Sequence, residues 1–87
     1  LKVKGESMID AGINDGDWVI IEESKKFYKS KVHVILIDNQ DVTLKYIEKV
    51  NSGEIKLIPA NKVYKETIYP VERISIQGYV VGQVRIY

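Results

Sequence analysis

The chain has 87 residues and a mass of 10.0 kDa, which is enough for one domain around one core. It contains no cysteine and one histidine, so disulfides, thiolate metal sites and cysteine nucleophiles are excluded, and a multi-histidine metal centre or a histidine-dependent triad is disfavoured. Its 13 basic and 12 acidic residues leave a net charge of +1, which gives no electrostatic footprint for nucleic acid or for an anionic membrane. No apolar run reaches the roughly 20 residues that span a bilayer. We therefore expect a cytoplasmic domain that binds no membrane and needs no metal or other cofactor.

The chain starts without an initiator methionine, and residues 1–4 already alternate apolar and polar side chains. We therefore expect residues 1–87 to be a single domain excised from a longer protein.

A serine that follows a glycine by two positions stands in the motif Gly5-Glu-Ser-Met8. Because glycine allows backbone angles and close approaches that other residues do not, Ser7 can be held with its hydroxyl exposed. Ser7 can equally be the N-cap of a short helical turn that ends near Ala11. The motif by itself favours the cap, and both roles stay open at this point.

The next segment, residues 12–17, reads Gly-Ile-Asn-Asp-Gly-Asp and leads into an apolar stretch. Gly16 admits positive φ, and the carboxylates of Asp15 and Asp17 can accept hydrogen bonds from nearby backbone N–H groups. We therefore predict that these three residues form a turn and take no part in catalysis.

Period-two alternation of apolar and polar residues dominates the rest of the chain and predicts strands. The predicted strands span residues 18–21, 32–37, 42–47, 54–58 and 74–81. Turn-forming residues separate them, and the segments 38–41 and 51–53 predict hairpin turns. Six or seven short strands without a helical stripe longer than one turn predict a mostly β fold, built as a small compact barrel or sandwich of short, coiled sheets.

The single histidine, His33, lies in the second predicted strand, on the face opposite Val32 and Val34. A histidine on the face of a strand is usually held by a hydrogen-bonding partner. We expect this structural role for His33 and no catalytic one.

Thr43 and Lys45 are neighbours on one face of the third predicted strand, because alternate residues of a strand point the same way. If that face meets the core, burial lowers the pKa of Lys45, and the neutral amine can take a proton from a serine hydroxyl. If the face meets solvent, Lys45 is an ordinary surface lysine and Thr43 is simply a good strand former. The strand pattern alone leaves both interpretations open.

The ordered combination of the serine motif, the turn at residues 12–17 and the strand segment Val42-Thr-Leu-Lys45 is far more specific than any of its parts. It resembles the self-cleaving Ser-Lys peptidase family that includes the LexA repressor, the mutagenesis protein UmuD and phage CI-type repressors. The resemblance runs from residues 3–17 to the closing segment 76–85. In the turn before the second strand, where relatives commonly carry a glycine, this chain has Ser30-Lys31.

The resemblance implies a role for each residue of the motif. Ser7 is expected to be the nucleophile, Lys45 the general base, and Thr43 the residue that orients the Lys45 amine. The backbone N–H groups of Glu6 and Ser7 are expected to stabilise the oxyanion. Met8 is expected to line the substrate cleft.

The resemblance also implies a substrate and partners. The substrate is an upstream segment of the same chain, and because only six residues precede Ser7, we expect this stretch to lack it and to be unable to cleave itself. Activated RecA filaments are expected to promote docking of that segment in the SOS response. The last apolar stretch, residues 74–87, either completes the barrel or pairs across a two-fold axis in a homodimer, and both can hold together. DNA is expected to be contacted only through an N-terminal domain outside this chain.

Three functions remain open on the sequence. The leading one is the C-terminal autoproteolytic and dimerisation domain of a LexA- or CI-like transcriptional repressor. The others are a UmuD-like polymerase accessory protein and a dimerisation module whose Ser-Lys dyad is vestigial.

Overall fold

A computed structural model describes all 87 residues, and six antiparallel strands form one sheet. The strands are β1 (Trp18–Glu23), β2 (His33–Ile37), β3 (Asp41–Lys49), β4 (Glu54–Ile58), β5 (Thr67–Pro70) and β6 (Ile74–Val84). Two single-turn 3-10 helices, Ile9–Ala11 and Val71–Arg73, complete the secondary structure. No helix has the length and apolar character that crossing a membrane requires. The prediction of a mostly β fold is confirmed.

The strands lie in the order β1-β6-β2-β3-β4-β5, so the last strand of the chain sits between the first two. The five strands predicted from alternation are all present. The sequence pattern missed β5, because three of its four residues are exposed and no alternation marks it. Pro70 ends this edge strand, where a missing N–H breaks no ladder bond.

The two predicted hairpin turns join β2 to β3 and β3 to β4. In the first, Asp38 and Asn39 have φ of 54° and 57°, and Gln40 N donates to the Ile37 carbonyl, as in the type I′ turns that suit twisted hairpins. In the second, Asn51 Oδ1 accepts a hydrogen bond of 2.8 Å from Gly53 N. Side-chain and backbone preferences of polar turn residues thus fix both hairpins.

The sheet carries one apolar cluster on each face. Neighbouring residues of β2 show the division, since Val34 belongs to one cluster and Ile35 to the other. The first cluster consists of Val3, Met8, Ile13, Val19, Val34 and Leu44. The second consists of Ile35, Ile47, Ile55 and Leu57. Because Val3, Met8 and Ile13 belong to the first cluster, hydrophobic packing anchors the segment that contains Ser7 to the sheet.

Ser30, in the turn before β2, has a φ of 67°. The left-handed region costs a residue with a Cβ roughly 1 kcal/mol, so we expect Ser30→Gly to raise the free energy of unfolding by about 0.5–1 kcal/mol. Urea denaturation measures this change. Ser52→Gly is the matched control, because Ser52 is an exposed turn serine outside the positive-φ region and should lose stability. A loss in both variants would contradict the expectation.

Candidate active site

Ser7 stands at the start of a tight turn. Gly5, two residues before it, has a φ of +86°, and the 3-10 helix Ile9–Ala11 follows, with Met8 at its N-cap position and no side-chain capping hydrogen bond. The interpretation of Ser7 as an N-cap is therefore wrong. Its hydroxyl is left free to interact with the sheet.

The Ser7 hydroxyl meets Lys45 and Thr43 of β3. Lys45 Nζ lies 2.9 Å from Ser7 Oγ and 2.6 Å from Thr43 Oγ1. Lys45 is partly buried, and desolvation lowers the pKa of its amine below the ordinary value of 10.5. Lys45 is therefore a half-buried lysine with two hydrogen-bonding partners in the chain, which disfavours its interpretation as an ordinary surface lysine.

This arrangement suits proton transfer from the serine. A neutral lysine amine has two N–H donors and one lone pair, so it can donate to Thr43 Oγ1 while its lone pair accepts the proton of Ser7. An ammonium group has no lone pair and could only donate. Burial favours the neutral form, because moving a charge out of water is costly.

The backbone around Ser7 presents two free donors. The N–H groups of Glu6 and Ser7 donate to no acceptor within the chain, whereas both carbonyls accept hydrogen bonds. Ser7 O accepts from Ala60 N at 2.8 Å, and Glu6 O accepts from Asn61 Nδ2 at 2.7 Å. Two unpaired amides beside a serine hydroxyl are the kind of donors that an oxyanion requires.

A cleft of about 250 Å³ opens beside the serine. One wall is the N-terminal segment and the other is the first half of β3. The residues that line it are Leu1, Lys2, Val3, Lys4, Gly5, Ser7, Met8, Val42, Thr43 and Leu44. Met8 is one of these lining residues, and half of the lining is hydrophobic.

The turn at residues 12–17 acts as the sequence predicted. Asp15 Oδ1 accepts from Gly5 N at 2.7 Å, Asp17 Oδ2 accepts from Asn14 N at 2.9 Å, and Gly16 has a φ of +89°. The Asp15 bond ties this turn directly to the glycine that begins the serine motif. These residues build the backbone of the site and contact neither Ser7 nor Lys45.

Asp17 also makes an ion pair that the sequence analysis missed. Its side chain is 2% exposed, and its two oxygens accept from Arg85 Nε and Nη2 at 2.8 and 2.9 Å. The hydrogen bond from Arg85, with that from Asn14 N, lowers the pKa of Asp17 from 3.8 to about 2. Arg85 is 68 residues away along the chain, so no local pattern could have indicated the pair.

The lowered pKa of Asp17 predicts a loss of stability in acid. Between pH 4 and 2 the unfolded chain binds a proton that the folded chain does not, so this contribution is present above pH 4 and disappears as the pH falls to about 2. Arg85→Met should lower the urea midpoint at pH 7, because it leaves the buried Asp17 carboxylate without its charged partner. The decline of the urea midpoint between pH 4 and 2 should also become less steep in this variant.

Arg73→Met is the matched control for that experiment. Arg73 makes the same two-bond contact with Asp38, at 2.8 and 2.6 Å, but the Asp38 side chain is 42% exposed. Water screens exposed pairs, so the urea midpoint at pH 7 should change much less in this variant. Equal losses in the two variants would contradict the role of burial.

His33 is fully buried beside the site without joining it. Its Nε2 accepts from Tyr28 N at 3.1 Å, and its ring stacks on Phe27 with centroids 5.8 Å apart. Burial lowers the pKa of the imidazole. His33 pairs with Lys45 across β2 and β3 but makes no hydrogen bond to Lys45 or Ser7. The expectation of a structural histidine with a bonded partner agrees with these contacts.

Comparison with known proteins shows the family to which the chain belongs. The model of the Peptidase S24-like family matches residues 1–81. Over all 87 residues the chain is 44% identical to the LexA repressor of Zymomonas mobilis, 47% to that of Gluconacetobacter diazotrophicus and 42% to that of Granulibacter bethesdensis. It spans 40%, 34% and 36% of the lengths of these relatives. The chain belongs to the peptidase S24-like family, as a LexA-type domain.

Proposed function

We propose that this chain is the self-cleaving serine peptidase domain of a LexA-like transcriptional repressor, with Ser7 as nucleophile and Lys45 as general base. The observation that carries the proposal is the 2.9 Å contact between Lys45 Nζ and Ser7 Oγ, made by a lysine whose pKa burial lowers. A serine hydroxyl is a weak nucleophile by itself and needs a base within hydrogen-bonding reach. The single histidine, His33, makes no hydrogen bond to Ser7 and accepts one from Tyr28 N instead.

The reaction follows from the contacts. Ser7 Oγ attacks the scissile carbonyl carbon while its proton passes to the Lys45 amine, and the amides of Glu6 and Ser7 stabilise the oxyanion. Lys45 then gives this proton to the leaving amine, which breaks the C–N bond and leaves an acyl-serine. Water attacks the ester, with Lys45 again as base, and frees Ser7. Thr43 holds the amine in the direction that these transfers need.

The substrate that suits the cleft is an extended segment of the same protein. The cleft runs between the N-terminal segment and β3, and half of its lining residues are hydrophobic, so a strand-like segment with apolar side chains fits it. A segment carried by the same chain needs no high affinity, because attachment supplies a high effective concentration. Control by a RecA filament and a role in the SOS response belong to this proposal, on the strength of the family membership.

The exposed apolar face of β1 and β6 supports a homodimer. Trp18 and Val84 are directly paired across these strands and are 45% and 48% exposed, with Ile20 beside them at 54%. Adjacent exposed apolar side chains often mark an interface. We assign contact with DNA to a separate domain of the longer protein. The relatives above are named as repressors, which favours a repressor over a polymerase accessory protein.

Self-cleavage of the full-length protein that contains this chain tests the proposal. Incubation from pH 7 to 10, followed by intact mass measurement, should give two fragments at a rate that rises with pH, and Ser7→Ala should give none. In the 87-residue chain, a fluorophosphonate should add to Ser7 and to no other residue. The proposal would fail if the full-length protein stayed intact under all conditions, including with RecA filaments added, and if Ser7 formed no adduct. A dimerisation module with a vestigial dyad would then be the better explanation.

A further inference from the structure

Two consecutive residues of the β4–β5 connection hold the serine segment from outside the catalytic pair. Ala60 N donates to Ser7 O at 2.8 Å, and Asp10 N donates to Ala60 O at 2.7 Å. Asn61 Nδ2 donates to Glu6 O at 2.7 Å. Asn61 is the only side chain among these contacts, and it acts across 55 residues of sequence.

The Asn61 contact controls the direction of one particular N–H group. In a trans peptide unit the C=O and the following N–H point in opposite directions within one rigid plane, and the chain has no cis peptide. The carbonyl of Glu6 and the amide of Ser7 belong to the same unit. A hydrogen bond that fixes the Glu6 carbonyl therefore also fixes the direction of the Ser7 amide.

Within that peptide unit, the Glu6 carbonyl is hydrogen-bonded inside the chain and the Ser7 amide is not. On either side of the unit, Gly5 N donates to Asp15 Oδ1 at 2.7 Å and Ser7 O accepts from Ala60 N at 2.8 Å, but neither bond acts on the unit itself. The one other donor to Glu6 O is Ile9 N, at a longer 3.3 Å. Asn61 is itself held in register, because its Oδ1 accepts from Val63 N at 3.1 Å, which directs Nδ2 towards Glu6.

We propose that Asn61 is a positioning residue for the cleavage reaction: its side-chain amide holds the Glu6–Ser7 peptide so that the Ser7 N–H points at the oxyanion. This inference rests on the proposed function, because the oxyanion exists only if Ser7 attacks a carbonyl or an equivalent centre. Asn61 touches neither substrate nor the reacting atoms. Its effect is on the stabilisation of negative charge, and Lys45 keeps its own environment.

The test is the rate at which a fluorophosphonate labels Ser7 in the 87-residue chain, read by intact mass between pH 6 and 11. The phosphoryl oxygen takes the place of the oxyanion, so the reaction needs the same donors. Asn61→Ala removes both side-chain hydrogen bonds. Asn61→Asp keeps an acceptor for Val63 N but replaces the donor to Glu6 O with an oxygen. Each variant should label roughly 10- to 100-fold more slowly on the high-pH plateau.

The pH midpoint separates positioning from general damage to the fold. The midpoint reports the pKa of Lys45. In Asn61→Ala the midpoint should therefore be the same as in the unchanged protein, while the labelling rate on the high-pH plateau falls. Asn51→Ala is the matched control. Asn51 Oδ1 accepts from Gly53 N in the same way, but its Nδ2 donates to the Glu54 carboxylate, so the labelling rate should not change.

The outcomes distinguish this proposal from the one on which it depends. No adduct on Ser7 in the unchanged protein would overturn the peptidase function itself. If the unchanged protein forms the Ser7 adduct, and the Asn61 variants label as fast as Asn51→Ala, only the positioning role would be overturned. A shifted midpoint in Asn61→Ala, or failure of both Asn61 variants to fold in thermal unfolding measurements, would also overturn it, because the side chain would then be structural.

Discussion

Replacement of Lys45 by alanine should lower both self-cleavage and fluorophosphonate labelling of Ser7 by roughly 1000-fold, within the range that a positioned general base contributes. The physical reason is that Lys45 Nζ is the only hydrogen-bonding partner of Ser7 Oγ, so no other group is placed to take the proton. Lys45→Arg should be equally inactive, because a guanidinium stays protonated. Intact mass against time measures both reactions.

The pH dependence gives this prediction a second, independent readout. Only the neutral amine accepts a proton, so the rate should rise with pH and level off below the ordinary lysine pKa of 10.5, since burial lowers that of Lys45. Lys49→Ala is the matched control, because Lys49 lies on the same strand but is exposed. If Lys45→Ala kept its rate, or if Lys49→Ala lost as much, the assignment of the base would be wrong.

Gly78→Ala should destabilise the fold by about 2–3 kcal/mol, the largest effect on stability that we expect from adding a single methyl group. Gly78 lies in β6, between Glu23 of β1 and Val34 of β2. A Cβ at this position would overlap the Glu22 carbonyl oxygen and would lie 2.7 Å from Ile21 Cγ2. Backbone cannot yield as a side-chain end can, so β1 would have to move away from β6.

Gly82→Ala is the control for this effect, because Gly82 lies in the same strand and also faces β1. Its added Cβ would meet Ile20 Cδ1 at an ordinary 3.5 Å. Since glycine in a strand interior costs roughly 0.5–1 kcal/mol relative to alanine, Gly82→Ala should be neutral or slightly stabilising. Urea denaturation compares the two variants. Equal stability of both would show that the close approach at Gly78 does not limit the β1–β6 pairing.

The two proposals about the site differ in what they demand of the fold. The Ser7–Lys45 contact needs the serine segment packed on β3, which the first apolar cluster provides through Met8 and Leu44. The Asn61 contact needs the β4–β5 connection as well. The site is therefore assembled from three stretches of chain that meet only in the folded state, and small shifts of any one of them should affect the reaction.

The sequence by itself determined five of the six strands, the two hairpins and the pair of residues on β3. Alternation is a local property, so β2 and β3 could be predicted from their own residues, and the shared face of Thr43 and Lys45 follows from the strand period alone. The turn residues Asp38 and Asn39 likewise carry their own backbone preference. The role proposed for Ser7 came from the ordered motif, because the local pattern around Ser7 favoured a helix cap.

Only the tertiary structure decided which distant groups meet. Three features of the site depend on residues that are far apart in the sequence and share no local pattern. They are the burial that lowers the pKa of Lys45, the ion pair between Asp17 and Arg85, and the hydrogen bond from Asn61 to Glu6. The edge strand β5 belongs to the same class, because its residues are exposed and it exists only by pairing with β4. Local preferences act over a few residues, whereas hydrogen bonding and desolvation depend on which surfaces the closed fold brings together.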